Sequence, residues 1–310
     1  MGVKHTKADN LPGGILAVNK ESGMTSHDVV NRVRRLYGTN RVGHAGTLDP
    51  LAEGVLVVLV GRAAKACEYI SSERKVYTAT LKIGLVTDTE DITGEVLEKY
   101  SGELPSYEAV ADAASRFTGK ILQTPPMYSA LKVNGQKLYE LARKGIEVER
   151  QAREIEVFGI TVKKTQFPDE FTLTVDCSGG TYIRTLCADI SKYLGCGGVM
   201  ASLRRDMACG IALSECHTLN EISELDEVQK QGILIDVDKL FEDMPKVSIS
   251  GFFEKLFRDG CPVYQHKINT NLGLGIRVRV CDSKGEFFAL GEVIQAPEGT
   301  AIKSIKIFKL

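Results

Sequence analysis

The chain has 310 residues, of which 43% are hydrophobic and 25% charged, and its formal net charge at pH 7 is −1. This composition is that of an ordinary globular protein, and the net charge argues against a protein that coats nucleic acid. No apolar run approaches the ~20 residues that a membrane span needs. Residues 1–10 are polar and lack the apolar core of a signal peptide, so we expect a cytoplasmic protein.

Basic residues are concentrated in two segments. Residues 120–153 contain seven basic and three acidic residues, a net charge of +4, and residues 28–41 contain four and one, a net charge of +3. Residues 221–245 contain two basic and eight acidic residues, and this net charge of −6 hides the basic segments in the total. Segregated basic segments indicate a phosphate-binding face, although a solvated charged surface gives the same counts.

The first predicted elements are a strand at residues 15–18 and the helix that follows it. Thr25 or Ser26 caps this helix, valines recur along it at helical spacing, and Gly38 ends it. The eight cysteines of the chain include no C-x-x-C pair, so we expect buried, reduced thiols rather than a zinc cluster or a disulfide framework.

Residues 41–51 are predicted to form a glycine-rich loop that aims one carboxylate. Pro50 disfavours helical backbone at the residue before it and pushes Asp49 towards an extended conformation. Residues 54–61 are β-branched and bounded by glycines, which is typical of a fully buried strand. A loop that carries one aimed acid beside a core strand can present a reactive group, although most Asp-Pro pairs are ordinary turns.

Residues 75–83 alternate between polar and apolar side chains, which predicts a strand with Tyr77 near its beginning. Tyr77 shares a face with Ala79 and Leu81 and is expected on the buried side. A core tyrosine, and a tyrosine that lines a cleft and stacks on a base, both fit this position.

A turn-rich basic segment, residues 123–153, follows a helix predicted near 107–117. Tyr128 and Tyr139 are interleaved with lysines, and the segment has little of its own to bury. We interpret this segment, called the excursion below, as a mobile clamp for a polyanion, because aromatic and cationic side chains on a flexible segment suit RNA binding. An ordinary surface loop is the alternative, although undirected loops of this length are uncommon.

Strands predicted at 155–162 and 171–177 precede a helix whose first turn contains Arg184. A cation there opposes the helix dipole, so Arg184 is expected to have an anionic partner: a local carboxylate, a phosphate, or Asp49 across the fold. Residues 203–210 lead into another strand. From residue 246 the pattern changes to a short helix and a hairpin, which predicts a first domain at 1–245 and a small, mostly β domain at 246–310.

Three motifs in these segments resemble the bacterial tRNA pseudouridine-55 synthases of the TruB family. The segment GHAGTLDPLAEGVL, residues 43–56, resembles the family's signature, and residues 132–148 and 177–184 resemble its later motifs in the same order. The similarity covers about residues 14–245, and residues 246–310 resemble a short PUA-type RNA-binding module. A long loop match with a matching arginine motif far downstream is specific.

The resemblance implies an α/β (α+β) fold with a central mixed, largely antiparallel sheet flanked by helices. It implies an enzyme that converts a uridine in the T-arm loop of tRNA to pseudouridine without cofactor or metal. tRNA, through its T-arm stem-loop, is the expected partner. We expect no membrane association, no obligatory protein partner and a monomer.

The resemblance also implies roles for individual residues. Asp49 matches the family's nucleophile, Tyr77 its stacking tyrosine, and Arg184 the arginine paired with the aspartate. The positions that match substrate-binding residues are His44, Tyr182, Leu203 and Lys20. His44 would occupy the RNA loop near the extruded base, and the other three would line the uridine pocket. Glu21 stands where the family commonly has proline, which leaves the loop geometry around Lys20 open.

The chemistry fits these residue types. Isomerising uridine breaks a C–N glycosidic bond, turns the detached base and rejoins it through carbon, and an ionised carboxylate can serve as nucleophile or base. Arg184 beside Asp49 would keep that carboxylate ionised in a desolvated pocket. The nucleotide must be flipped out of a folded loop, at a cost of roughly a few kcal/mol that the clamp and the insertion of His44 must offset.

Two other functions stay open. A tRNA chaperone without catalytic activity would keep the basic excursion but would need neither Asp49 nor Arg184. A guide-RNA-dependent pseudouridine synthase subunit of the archaeal and eukaryotic type shares the aspartate motif, and the excursion favours the stand-alone form.

Overall fold

The computed structural model describes residues 13–70, 74–129, 131–133 and 135–308, so the prediction for residues 1–10 lies outside the described part. The strands in these ranges are β1 (Gly14–Lys20), β2 (Val42–Ala45), β3 (Glu53–Val60), β4 (Lys75–Ile83), β5 (Leu85–Thr87), β6 (Val96–Lys99), β7 (Gly119–Gln123), β8 (Lys132–Val133), β9 (Gln136–Lys137), β10 (Arg153–Lys164), β11 (Glu170–Cys177), β12 (Gly198–Ala208), β13 (Ile211–Ala212), β14 (Lys246–Ser248), β15 (Val263–Tyr264), β16 (Arg277–Cys281), β17 (Phe287–Ala296) and β18 (Gly299–Ile307). The α-helices are α1 (Ser26–Leu36), α2 (Tyr107–Ser115), α3 (Leu138–Ala142), α4 (Ile183–Tyr193), α5 (Leu219–Glu224), α6 (Glu227–Gly232) and α7 (Phe252–Arg258). Short 3-10 helices span Gly61–Tyr69, Leu213–Glu215, Val237–Phe241 and Gln265–Lys267.

A large mixed sheet forms the centre of the protein. Its strand order in the described part of the chain is β1-β3-β12-β4-β11-β10-β7, with β2 paired to β3 and β13 to β12. Strand β12 runs parallel to β3, whereas β1–β3, β12–β4, β4–β11, β11–β10 and β10–β7 are antiparallel pairs. The predicted fold class, an α/β fold with a mixed and largely antiparallel sheet flanked by helices, is confirmed.

Strands β1 and β3 are buried on both faces, which explains their nearly continuous apolar sequence. Leu56 and Val58 of β3 belong to a core shared with α1, α2 and α4, whereas Val55 and Val57 belong to a second core on the opposite face. Leu290 of β17 lies in that second core. The C-terminal sheet therefore covers a face of the large sheet that the helices leave open.

The C-terminal region is a five-stranded sheet in the order β14-β16-β17-β18-β15. Phe287 of β17 and Phe308, the residue after β18, pack with Phe241, with ring centroids 5.5 to 6.0 Å apart. This aromatic cluster holds the sheet against the preceding part of the chain. The mostly β character predicted for the region is confirmed, and the boundary between residues 245 and 246 remains a prediction.

Two predictions near the large sheet need correction. Residues 42–45 are strand β2 rather than loop, and Gly43 allows the close packing of β2 because a Cβ there would lie 2.9 Å from the Cys67 sulfur. Residues 203–208 lie inside β12 instead of leading into a strand. Two register shifts against β4 interrupt the alternation of β12, and this irregularity conceals the strand in the sequence.

The excursion begins and ends on paired strands, because Gln123 of β7 lies opposite Arg153 of β10. It contains the hairpin β8–β9 and helix α3, and Leu138 and Leu141 of α3 are buried. The prediction that the excursion has little to bury is therefore wrong. A helix of five residues is too short to show a periodic apolar pattern in the sequence.

The eight cysteines are free thiols in the structure. Five of them, including Cys187 and Cys281, are buried, whereas Cys67 and Cys216 are half-buried and Cys261 is exposed, so the prediction of buried thiols holds for five of the eight. Within the described ranges, no helix has the length and apolar character that crossing a membrane requires.

Candidate active site

The loop that carries Asp49 connects β2 to β3 and is tied to the start of α1. The hydroxyl of Ser26 donates to the Leu48 carbonyl (3.0 Å) and accepts from the Leu48 amide (2.8 Å). Gly46, with φ +78°, turns the chain out of β2 in a left-handed conformation that glycine adopts readily. The carbonyl of Pro50 accepts a backbone hydrogen bond on the other side of Asp49 (2.8 Å). The backbone on both sides of the aspartate is therefore fixed.

Asp49 forms an ion pair with Arg184, whose Nε lies 2.9 Å from Asp49 Oδ2. The Arg184 side chain is 5% exposed and that of Asp49 37%, so the pair meets solvent mainly on the aspartate side. The other guanidinium nitrogens donate to the carbonyls of Thr89 (3.0 Å) and Tyr128 (2.7 Å). Of the partners considered for Arg184, the structure pairs it with Asp49 across the fold.

Asp91 is a second carboxylate at this site, and the sequence analysis did not identify it. Asp91 Oδ2 lies 3.7 Å from Arg184 Nη1, and its Oδ1 accepts hydrogen bonds from the hydroxyls of Thr89 (2.9 Å) and Thr93 (2.6 Å). The side chain is nearly buried. Its signal in the sequence was only a polar, threonine-rich loop, which is also typical of a surface turn.

Burial and charge act on the pKa of Asp49 in opposite directions. Burial, the largest effect, raises this pKa, and the neighbouring Asp91 raises it further, whereas Arg184 and Lys20 lower it. The net pKa of Asp49 lies above its ordinary value. Arg184 therefore favours the ionised carboxylate, as expected from the sequence, but it offsets only part of the effect of burial.

Lys20 also holds the loop that carries Asp49, through hydrogen bonds to backbone carbonyls. Its side chain is 0% exposed, and its Nζ donates to the carbonyls of Met24 (2.7 Å), Glu21 (2.9 Å) and Pro50 (3.5 Å). Burial lowers the pKa of Lys20 to about 8, although the nearby Asp49 acts in the opposite direction. Glu21, the departure from the family pattern, has an exposed side chain and supplies one of these carbonyls.

Tyr77 and Leu203 lie on adjacent strands, where the register pairs Tyr77 of β4 with Arg205 of β12 and Leu203 of β12 with Ala79 of β4. Tyr77 and Leu203 are both buried, and burial raises the pKa of Tyr77. The charge of Asp49 also acts on Tyr77. Arg205, which the sequence analysis did not single out, is fully buried beside them.

The remaining predicted residues, Tyr182 and His44, border this group. Tyr182 precedes α4, and the Gln123 side chain fixes its backbone by accepting from the Tyr182 amide (2.8 Å) and donating to its carbonyl (3.0 Å). His44 lies on β2, half-buried, and its Nδ1 has no hydrogen-bond partner among the residues that the structure describes. Burial and the charge of Arg205 lower the pKa of His44. The charges that act on His44 come from Arg205 and His27 rather than from Asp49.

No group of three or more His, Cys, Asp or Glu side chains in the described ranges is arranged to hold a metal ion. A cavity of about 390 Å³ lies between the 3-10 helix at Gly61–Tyr69 and β18, lined by Arg62, Lys65 and residues 304–308. It contains none of the predicted site residues.

Family models identify the class of protein to which this fold and site belong. The model described as "TruB family pseudouridylate synthase (N terminal domain)" matches residues 34–183, and "tRNA pseudouridylate synthase B C-terminal domain" matches residues 184–242. The protein is a pseudouridine synthase, an isomerase.

Similar proteins show to which family of pseudouridine synthases the chain belongs. The chain is 40% identical to the tRNA pseudouridine synthase B of Clostridium perfringens (strain 13 / Type A) over 280 residues, which cover 90% of this chain and 94% of that one. It is 42% identical to the tRNA pseudouridine synthase B of Dechloromonas aromatica over 279 residues, covering 90% and 91%. The chain therefore belongs to the TruB family of pseudouridine synthases, and the predicted resemblance is confirmed.

Solved structures share the fold. A chain of a Cbf5-Nop10-Gar1 complex matches with a TM-score of 0.75 at 24% identity, over 95% of this chain and 84% of that one. A chain of an H/ACA RNP bound to a substrate RNA containing 2'-deoxyuridine matches with a TM-score of 0.72 at 22% identity, over 96% and 85%. At these identities the similarity concerns the fold alone.

Proposed function

We propose that this protein isomerises the uridine at position 55, in the T-arm loop of tRNA, to pseudouridine, with Asp49 as the nucleophile. The observation that carries the proposal is the ion pair between Asp49 and Arg184, which joins a loop before β3 to the first turn of α4. The names of the curated relatives, tRNA pseudouridine synthase B, support tRNA as the substrate.

Ionised Asp49 begins the reaction. Attack on the base, attack on the sugar and removal of a sugar proton all start from the carboxylate anion, so the Arg184 guanidinium assists each of them by favouring ionisation. The backbone hydrogen bonds around Leu48 and Pro50 hold the carboxylate in place before substrate arrives. The exposed edge of Asp49 gives a flipped nucleotide access to it.

The proposed uridine pocket is formed by Tyr77, Leu203 and Tyr182, with Lys20 supporting the loop beneath it. The ring of Tyr77 stacks on the base and retains it while it is detached from the ribose. His44 enters the RNA loop and takes the place of the extruded base. Base flipping costs roughly a few kcal/mol, and contacts between the RNA and the excursion offset this cost.

The excursion is the proposed RNA clamp, and its first residues contact the active site. Gln123 fixes the backbone of Tyr182, and the Tyr128 carbonyl accepts from Arg184. Further out, Lys137 and Arg143 lie over the ring of Tyr139 at 5.4 Å from its centroid. This arrangement of cations around an aromatic ring suits contact with an RNA backbone and its bases.

Neutralising Arg143 and Lys144 to glutamine should weaken tRNA binding, because both side chains are exposed on the excursion and available to phosphates. Loss of two phosphate contacts should reduce the slope of log K against log salt by roughly 1.4 to 1.8. The slope is measured by binding titrations with catalytically inactive protein at several salt concentrations. The matched control neutralises Lys230 and Lys239, in the acidic segment, and should leave the slope unchanged. Equal slopes for all three proteins would contradict the clamp.

The test of the proposed function is incubation of the purified protein alone with an unmodified tRNA transcript, followed by mapping of pseudouridine. We expect pseudouridine at position 55 and none in a transcript that carries cytidine there. Binding and refolding of tRNA without conversion would support the chaperone. Conversion only after addition of a guide RNA and partner proteins would support the guide-dependent subunit. We further propose that the active form is a cytoplasmic monomer and that residues 246–310 act as a PUA-like RNA-binding domain.

A further inference from the structure

Arg205 lies on β12 at the position where this strand pairs with both β3 and β4. The register pairs it with Gly54 of β3 on one side and with Tyr77 of β4 on the other. Gly54 has φ +97°, and a Cβ there would lie 2.3 Å from the Arg205 carbonyl oxygen, so only glycine fits. The backbone of Arg205 is therefore held tightly next to the first residues of β3.

The Arg205 guanidinium joins the two ends of the loop that carries Asp49. Its Nη2 donates to the carbonyl of Gly46 (3.0 Å), where the chain leaves β2, and its Nε donates to the carbonyl of Val55 (2.7 Å), just after the chain enters β3. One rigid, planar group thus sets the distance between the beginning and the end of the loop.

Arg205 is also the direct register partner of Tyr77 on β4, and its positive charge acts on Tyr77. The position of Tyr77 on β4 is therefore linked to that of the Asp49 loop through one residue, Arg205.

The burial of Arg205 is unfavourable for the stability of the fold. Its side chain is 1% exposed, and no carboxylate in the described ranges lies within ion-pair distance of it. Burying a cation without a carboxylate partner is unfavourable for folding, and here only the carbonyls of Gly46 and Val55 are seen to compensate it. Its positive charge also acts on Lys20 and His44, two other basic groups of the site. These observations favour a functional reason for the arginine.

We infer that Arg205 is a positioning residue for the isomerisation: it fixes the Asp49 loop relative to Tyr77, its partner on β4, without contacting the substrate. The inference rests on the proposed roles of Asp49 and Tyr77. A displacement of about 1 Å between reacting groups can cost about 100-fold in rate. Loss of Arg205 should therefore reduce the rate of the chemical step and leave RNA binding intact.

The experiment measures single-turnover conversion of tRNA at saturating protein, together with the Kd for tRNA and the thermal unfolding midpoint. Arg205→Lys keeps the charge, but its single nitrogen cannot reproduce the fork that joins Gly46 to Val55. We expect conversion by Arg205→Lys to be about 10- to 100-fold slower, with a Kd for tRNA within about threefold of the wild type. Both quantities are measured at a temperature well below the unfolding midpoint of the variant. Arg205→Met, which also loses the charge, should be slower still.

The control is Arg204→Lys, one residue earlier on β12, whose side chain is 46% exposed and paired with Asp206. It should convert tRNA within about twofold of the wild-type rate. If Arg205→Met does not fold, Arg205→Lys alone decides the question. Wild-type rates for a folded Arg205→Lys, or a slower rate explained entirely by weaker tRNA binding, would overturn the inference. A wild-type protein that makes no pseudouridine would instead overturn the proposed function, so the two failures are distinguishable.

Discussion

Asp49→Asn is expected to abolish pseudouridine formation, with a loss on the order of 10⁴-fold or more in the single-turnover rate. The substitution keeps the shape of the side chain and removes its charge, so the nucleophile disappears while the loop stays tied to Ser26. The Kd for tRNA should change by less than about threefold, because the basic excursion is untouched. The measurement is conversion of unmodified tRNA transcript at saturating protein.

The matched control for Asp49 is Asp112→Asn, which removes a carboxylate from the exposed pair between Arg116 and Asp112 on α2. This variant should convert tRNA at the wild-type rate. Substantial residual conversion by Asp49→Asn would contradict the proposed role of Asp49. Loss of tRNA binding would show that the aspartate acts in recognition instead.

Arg184→Lys is expected to slow conversion by about 100- to 1,000-fold, although it conserves the positive charge. Lysine cannot contact Asp49 and also donate to the carbonyls of Thr89 and Tyr128 in the geometry that the planar guanidinium provides. The carboxylate would then lose its fixed orientation. Single-turnover rates measure this effect, and Arg116→Lys on the surface of α2 is the control, with an expected change within about twofold.

The pH dependence of Arg184 variants gives an independent readout. The pKa of Asp49 is already raised by burial, and Arg184 opposes that rise. Asp49 acts as an anion, so activity falls as the pH drops through its pKa. Arg184→Met removes a cation that lowers this pKa, so the fall in activity should move to higher pH than in the wild type. A shift to lower pH, or no shift, would contradict the electrostatic role of Arg184.

The sequence was sufficient to predict the features that depend on local pattern. The β-branched run after the loop predicts the buried strand β3. The position of Arg184 in the first turn of a predicted helix indicates that this cation needs an anionic partner. Neither pattern could select Asp49 as that partner, because pairing across the fold is not a local property. The TruB resemblance suggested the pairing, and the 2.9 Å distance between Arg184 and Asp49 is what the structure adds.

Buried charges were the features that the sequence concealed. Asp91 lies in a segment that reads as an ordinary polar turn, and Arg205 follows an exposed arginine in a strand with irregular alternation. A charged residue in a short polar motif is expected on the surface, and only packing shows that it is inside. The burial of Lys20 among three carbonyls was concealed in the same way.

The most direct test of the central claim is a crystal structure of Asp49→Asn bound to a T-arm stem-loop. In that complex we expect the target uridine to be flipped out, with its ring against Tyr77 and its reacting carbon about 3 to 3.5 Å from the side chain of residue 49. His44 should fill the gap in the RNA loop. A target uridine still stacked inside its loop, or bound with its ring far from both Tyr77 and residue 49, would contradict the proposed roles of Tyr77 and Asp49.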